Sequence, residues 1–106
     1  MNINIKATNT TLTPTIKRFI EDKLSTLEAF LKPEDVIRAE LEIDKKHRSG
    51  LLFRAEIDIQ PRGRYADARA EDFYIAFDMV IEKIKEQLVK QKGKRLSLRR
   101  KLKKRI

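Results

Sequence analysis

Lys83, Lys90 and Lys94 recur at spacings of seven and four, and Lys85 and Lys92 lie seven apart. On a helix the first three share one face and the other two mark a second stripe, with Arg95 extending the run in sequence. A rail of cations at this spacing suits a phosphate backbone, because each neutralised phosphate releases condensed counterions. The plainer reading is a solvated helix face. Against it, no Asp or Glu follows Glu86, so nothing in the sequence compensates these charges. Lys23, earlier in the chain, and Lys45, Lys46, Arg48, Arg62 and Arg64, in two turn-forming stretches, are secondary basic residues that widen the footprint.

Other chemistry is poorly supplied. The single histidine, His47, sits among Lys45, Lys46 and Arg48 in a polar loop, where a solvated ring is the ordinary outcome. The chain has no cysteine, so disulfides, thiol catalysis and thiolate metal sites are excluded. Gly50, Gly63 and Gly93 are isolated and form no phosphate-cradling loop. The expectation is a binding protein with no catalytic residues, no cofactor, no metal and no small-molecule substrate.

The charge distribution points the same way. From Asn2 to Val89 there are 15 Lys or Arg against 16 Asp or Glu, whereas Lys90 to Ile106 holds 10 bases and no acid. A near-neutral body with one strongly basic end calls for a polyanionic partner, nucleic acid first and an acidic membrane surface second. At 106 residues the chain is long enough for one core and too short for two. No apolar run approaches the roughly 20 residues that span a bilayer, so a cytoplasmic protein that does not engage a membrane is expected.

Those cations need elements to hold them. Ile3, Ile5 and Ala7 alternate with Asn4 and Lys6, a strand with one apolar face. Thr13-Pro14 reads as an N-cap and first helical residue, and Ile16, Ile20, Leu24, Leu27 and Leu31 continue at spacings of three and four. The spacing predicts a helix from Pro14 that Pro33 stops. Ile37 to Ile43 and Phe53 to Ile59 alternate as two further strands around a polar hairpin loop from Lys45 to Gly50. Gln60-Pro61-Arg62-Gly63 is a turn. A fourth strand starts near Arg64, with Ala66, Ala68 and Ala70 on the face where a helix approaches closely. From Asp72, Phe73, Phe77, Val80, Ile84 and Leu88 mark a second long helix, with Gly93 placed to break it. Leu98, Leu102 and Ile106 then repeat every four residues, so the tail is expected to be helical when bound and frayed alone. The fold expected is α+β, in the order β-α-β-β-β-α, a four-stranded sheet with both helices on one face.

The segment Glu71-Asp72-Phe73-Tyr74-Ile75-Ala76-Phe77-Asp78, then Lys83-Ile84 and Gln87-Leu88-Val89-Lys90, resembles the ribosome hibernation-promoting factors and ribosome-associated inhibitors. Asn2-Ile3-Asn4-Ile5, Leu12-Thr13-Pro14-Thr15-Ile16, Lys23-Leu24, Leu27-Glu28 and the Ala66-x-Ala68 strand agree with it. The resemblance runs through about Lys94. It implies a ribosome-binding α+β domain over residues 1–94, akin in topology to double-stranded-RNA-binding domains, followed by a basic extension over residues 95–106. It also implies a bacterial translation inhibitor of the stress response, bound to the 30S subunit and 70S ribosome. Contact with 16S rRNA through Lys23, Lys83, Lys85, Lys90, Lys92, Lys94 and Arg95 would close the mRNA and tRNA channel at the A and P sites. Lys85-Glu86 inverts the family's usual acid-then-Arg order, and Thr26 and Ala29 stand where relatives often carry lysines. The rival reading is a structured-RNA or DNA binder without ribosome specificity. The neutral body suggests a monomer off the ribosome.

Overall fold

The structure, a computed structural model, describes the backbone of residues 2–44 and 52–104 and the side chains of residues 2–43 and 52–90. Strand β1 (Asn2–Thr8) leads into helix α1 (Pro14–Ser25); β2 (Val36–Asp44), β3 (Leu52–Gln60) and β4 (Arg64–Ala70) follow, and helix α2 (Phe73–Lys104) ends the fold. The sheet order is β1-β2-β3-β4, with β1 parallel to β2 and the other pairs antiparallel. The element order is the expected β-α-β-β-β-α. A parallel pair cannot be closed by a tight turn, so α1 is the crossover that returns the chain beside β1.

Strand register aligns the apolar faces in rows. Ala7 pairs with Leu41, Leu41 with Ala55 and Ala55 with Ala68, and the next row is Ile5, Ala39, Ile57 and Ala66. The third row, Ile3, Ile37 and Ile59, ends in Arg64. Ala66 and Ala68 are buried beneath α2, whose Phe73, Ala76, Phe77, Val80, Ile84 and Leu88 are buried against the sheet. Methyl-sized residues on the edge strand leave room for the helix to settle there. From α1, Ile20 and Leu24 enter the same core, and Phe19 meets Tyr74 edge-on with ring centroids 4.7 Å apart.

Capping explains where the helices start. The Thr13 hydroxyl accepts the Ile16 N–H at 3.2 Å, with Pro14 in the first turn. Asp72 Oδ1 accepts the N–H groups of Tyr74 (2.7 Å) and Ile75 (3.2 Å).

Two boundaries differ from the sequence expectation. Helix α1 stops at Ser25, well before Pro33, because Ser25 Oγ donates to the Asp22 carbonyl and Thr26 Oγ1 to the Lys23 carbonyl, both at 2.6 Å. Such local bonds compete with the helical ladder. The chain then makes a single 3-10 turn, Glu28–Phe30, which still delivers Leu27 to the core. Helix α2, by contrast, passes through Gly93 and continues to Lys104. One glycine costs a helix about 1 kcal/mol, and the flanking Lys90, Gln91, Lys92, Lys94, Arg95 and Leu96 are all good helix formers.

Candidate nucleic-acid interface

The cations of α2 fall into groups set by what lies beside the helix. On the flank facing the sheet edge, Lys83 Nζ donates to the Asp67 carbonyl at 2.8 Å and Gln87 Nε2 to the Tyr65 carbonyl at 2.9 Å. These carbonyls lie on β4, an edge strand, so α2 covers main-chain acceptors that would otherwise stand open. Lys90 lines the same shallow groove as Lys83 and pairs with Glu86 at 3.1 Å, one turn back. Both partners of that pair are largely exposed, at 72% and 68%, so a phosphate can exchange for the carboxylate at small cost.

On the opposite flank Lys23 reaches from α1 to Asp78 at 3.1 Å, its ammonium 5.6 Å from the Phe19 ring centroid. Lys85 is exposed and makes no ion pair among the described residues. Glu82 and Glu86 are also exposed on the body of α2. Lys23 therefore stands apart from the Lys83–Lys90 groove, and the uninterrupted run of bases begins only at Lys90. Lys92, Lys94 and Arg95 follow on the continuous α2 backbone, with side chains outside the described residues.

The secondary basic residues divide differently. Lys45, Lys46 and Arg48 lie outside the described residues, as does the Lys45–Gly50 loop. Arg62 is committed to the fold: its Nη2 donates to Asp35 Oδ2 at 2.9 Å, and the two side chains are only 11% and 4% exposed. The same carboxylate oxygen accepts the Lys32 N–H at 2.8 Å, tying the β3–β4 turn to the loop before β2. Burial pushes the Asp35 carboxyl up, but the Lys32 N–H and the Arg62 guanidinium outweigh it and hold the group below its ordinary value. Arg64, at the end of a core row, has its Nε buried without a hydrogen-bond partner. Nothing in the sequence pattern announces the Asp35–Arg62 pair, whose members are 27 residues apart.

The open face of the sheet is a charge-balanced network. Arg54 bonds Glu56 at 2.9 Å, Asp67 at 3.3 Å and the Tyr65 hydroxyl at 2.9 Å, with Glu42 at 3.7 Å. Burial lowers the affinity of Arg54 for its proton, but Glu56 and Asp67 more than restore it. Tyr65 is exposed on this face, whereas Phe53 packs against the core, so no pair of ring platforms is presented to stack bases. Among the described residues no group of three or more His, Cys, Asp or Glu is placed to hold a metal, and no helix is long and apolar enough to cross a membrane. The arrangement can hold phosphates along α2.

Comparison with known proteins adds a lineage to this geometry. Residues 3–96 match the family model described as Sigma 54 modulation protein / S30EA ribosomal protein. A ribosome hibernation promoting factor of Klebsiella oxytoca is 30% identical over 94 residues, covering 89% of this chain and 96% of the relative. That of Escherichia coli K12 is 28% identical over 95 residues, with the same coverage. Among solved structures, the N-terminal domain of Thermus thermophilus Protein Y superposes with a TM-score of 0.64 at 22% identity, over 83% of this chain and 96% of that one. A ribosomal subunit interface protein from Coxiella burnetii gives 0.66 at 23% identity, over 88% and 99%. These two likenesses establish the fold.

Proposed function

The chain belongs to the Sigma 54 modulation protein / S30EA ribosomal protein family, and from that membership we propose that it is a ribosome hibernation factor that binds the small ribosomal subunit. In this reading it seats α2 and its basic continuation on 16S rRNA and occupies the channel that mRNA and tRNA need at the A and P sites. Inhibition is by occlusion, is reversed when the protein leaves, and requires no catalysed step. The observation that carries the proposal is the family match across residues 3–96, nearly the whole fold, with relatives whose names are those of hibernation factors.

The points of attachment in this reading are cations of α2 and its margins. Lys83, Lys90 and Lys94, at spacings of seven and four, are the principal contacts in this reading, with Lys85, Lys92, Arg95 and Lys23 as further ones. Arg62 serves the fold through Asp35. The ribosome-binding domain in this reading is residues 1–94, and residues 95–106 are a basic extension. Since the described strands and helices leave an open face of balanced charge, the helical side is the one directed to RNA.

Co-sedimentation of the purified chain with 30S, 50S and 70S particles at near-physiological salt, with excess tRNA as competitor, tests the proposal. Binding confined to 30S and 70S particles and resistant to free tRNA is the expected result. The doubly substituted chain Lys83→Glu, Lys90→Glu should bind roughly tenfold or more weakly, with the salt slope reduced by about two, one for each phosphate no longer neutralised. Equal binding to both subunits, stripped by any added RNA, would favour a general polyanion binder; the unbalanced bases beyond Lys90 are the observation on that side.

A further inference from the structure

Residues 71–82 and residues 83–94 carry opposite charge. The first stretch, Glu71 to Glu82, contains four acidic residues and no basic one, whereas Lys83 to Lys94 contains five lysines and one glutamate. The acidic stretch also leaves three large apolar side chains in solvent: Ile75 is 55% exposed, and Tyr74 and Met79 are each 42% exposed. Ile75, Met79, Glu82 and Glu86 follow at spacings of four, three and four, so they form the crest of α2, away from the face on which Phe77, Val80 and Ile84 are buried. Tyr74 lies beside that crest, its ring held edge-on against Phe19 at 4.7 Å and tilted on Phe73 at 5.3 Å. Lys23 reaches this flank from α1, but its charge is matched by Asp78 at 3.1 Å. Glu82 is exposed and makes no ion pair among the described residues.

We propose that the face of α2 built from Tyr74, Ile75 and Met79 is a protein-docking surface, and that its occupant is a basic amphipathic segment of a small-subunit ribosomal protein. The proposal rests on the ribosome reading for the source of that segment, though not for its chemistry. Phosphate is the wrong neighbour here. Four carboxylates, with Lys23 matching one of them, repel a polyanion, so contact with RNA begins at Lys83. An anionic bilayer is repelled for the same reason. Exposed apolar side chains rimmed by charge mark a protein interface, where Tyr and Met are enriched. A partner of complementary chemistry covers Ile75 and Met79 with its own apolar side chains and sets Lys or Arg against Glu71 and Glu82. Proteins that bind RNA carry such basic stretches, so a chain seated on the subunit meets them beside the phosphates.

Photo-cross-linking from the full chain bound to purified 30S subunits tests the source. With p-benzoylphenylalanine in place of Ile75 or of Met79, irradiation should give covalent adducts with ribosomal protein. In place of Val89, which is exposed beside Lys90, the same group should give adducts with 16S rRNA. Adducts with rRNA from the Ile75 and Met79 positions, or none from either while the chain co-sediments with the subunit, would overturn the proposal. The free chain tests the chemistry. Its probe is a peptide of about 14 residues, made of Leu and Lys with Leu on one helical face, and the control peptide has Glu for every Lys. The Lys peptide should shift the methyl resonances of Ile75 and Met79 and bind about tenfold more weakly to a chain carrying Ile75→Gln and Met79→Gln. The Glu peptide should leave the spectrum unchanged. Circular dichroism verifies that this variant is folded, and its affinity for an RNA duplex of about 20 base pairs should stay within about twofold, since its cations are intact. An equal loss on the duplex would assign the face to RNA and overturn the proposal, as would equal binding of the two peptides. Failure of the unsubstituted chain to co-sediment with 30S subunits would remove the ribosome reading and the source with it; the peptide comparison alone would then uphold or overturn the face.

Discussion

Arg62 and Asp35 show how a basic residue in a basic protein is diverted from a partner. Removing the guanidinium leaves an almost fully buried carboxylate facing only the Lys32 N–H, and breaking buried pairs from one side costs about 3 kcal/mol or more. Arg62→Met should therefore lower the urea midpoint by that equivalent while leaving RNA affinity unchanged at temperatures where the variant is folded. Its pH signature is also fixed. Because the folded state holds the Asp35 carboxyl below the ordinary 3.8, this group adds stability above about pH 4 and surrenders it as pH falls through the lowered value. Asp35→Asn should be less stable at neutral pH and lose less on acidification, which urea titrations at pH 7 and pH 3 would measure. Lys83 presents the reverse case, since its ammonium is exposed enough to reach a phosphate yet already bonded to the Asp67 carbonyl. Lys83→Met should raise the tendency to self-associate as well as weaken RNA binding, whereas Lys85→Met should leave self-association unchanged. Analytical ultracentrifugation separates the two.

Helix α2 is one element doing two jobs: its first half packs the core and its second half carries charge. Gly93 lies in the second half, and Gly93→Ala should add about 0.5–1 kcal/mol to local helix stability. The gain would appear as higher ellipticity and slower amide exchange around residue 93. Thr13→Ala, by removing the hydroxyl that caps α1, should cost about 1 kcal/mol of global stability. The strands were legible in the sequence because alternation at Ile37–Ile43 and Phe53–Ile59 reports directly which face is buried. Proline and glycine marked the β3–β4 turn, and Gly63 indeed takes a positive φ of 70°. The end of α1 was not legible, because Leu27, Phe30 and Leu31 keep helical spacing although the backbone has turned at Thr26. Core demand sets that spacing, and a 3-10 turn meets it as well as an α-helix. The rail of lysines was legible as a pattern, but its neighbours were not. Whether Lys23 meets Asp78, or Lys83 a strand edge, depends on tertiary packing that no local period encodes.

Across the molecule, charge is segregated rather than abundant: a body near neutrality and one end with all the excess. Affinity for RNA should therefore depend steeply on ionic strength through the C-terminal half of α2, while unfolding, which involves the body, should respond little. Thermal melts and RNA titrations at about 0.05 and 0.3 M KCl would show the contrast, with the melting temperature moving by only a few degrees as affinity changes by orders of magnitude. The covered border of the sheet has a different consequence. Lys83 and Gln87 occupy two outward carbonyls of β4, those of Asp67 and Tyr65, whereas among the described residues no side chain bonds the outer border of β1. Partial cover of one border disfavours open-ended strand addition there. Two copies joined β1 to β1 about a two-fold axis would present the partly covered β4 at both ends, so main-chain association favours a pair over a fibre.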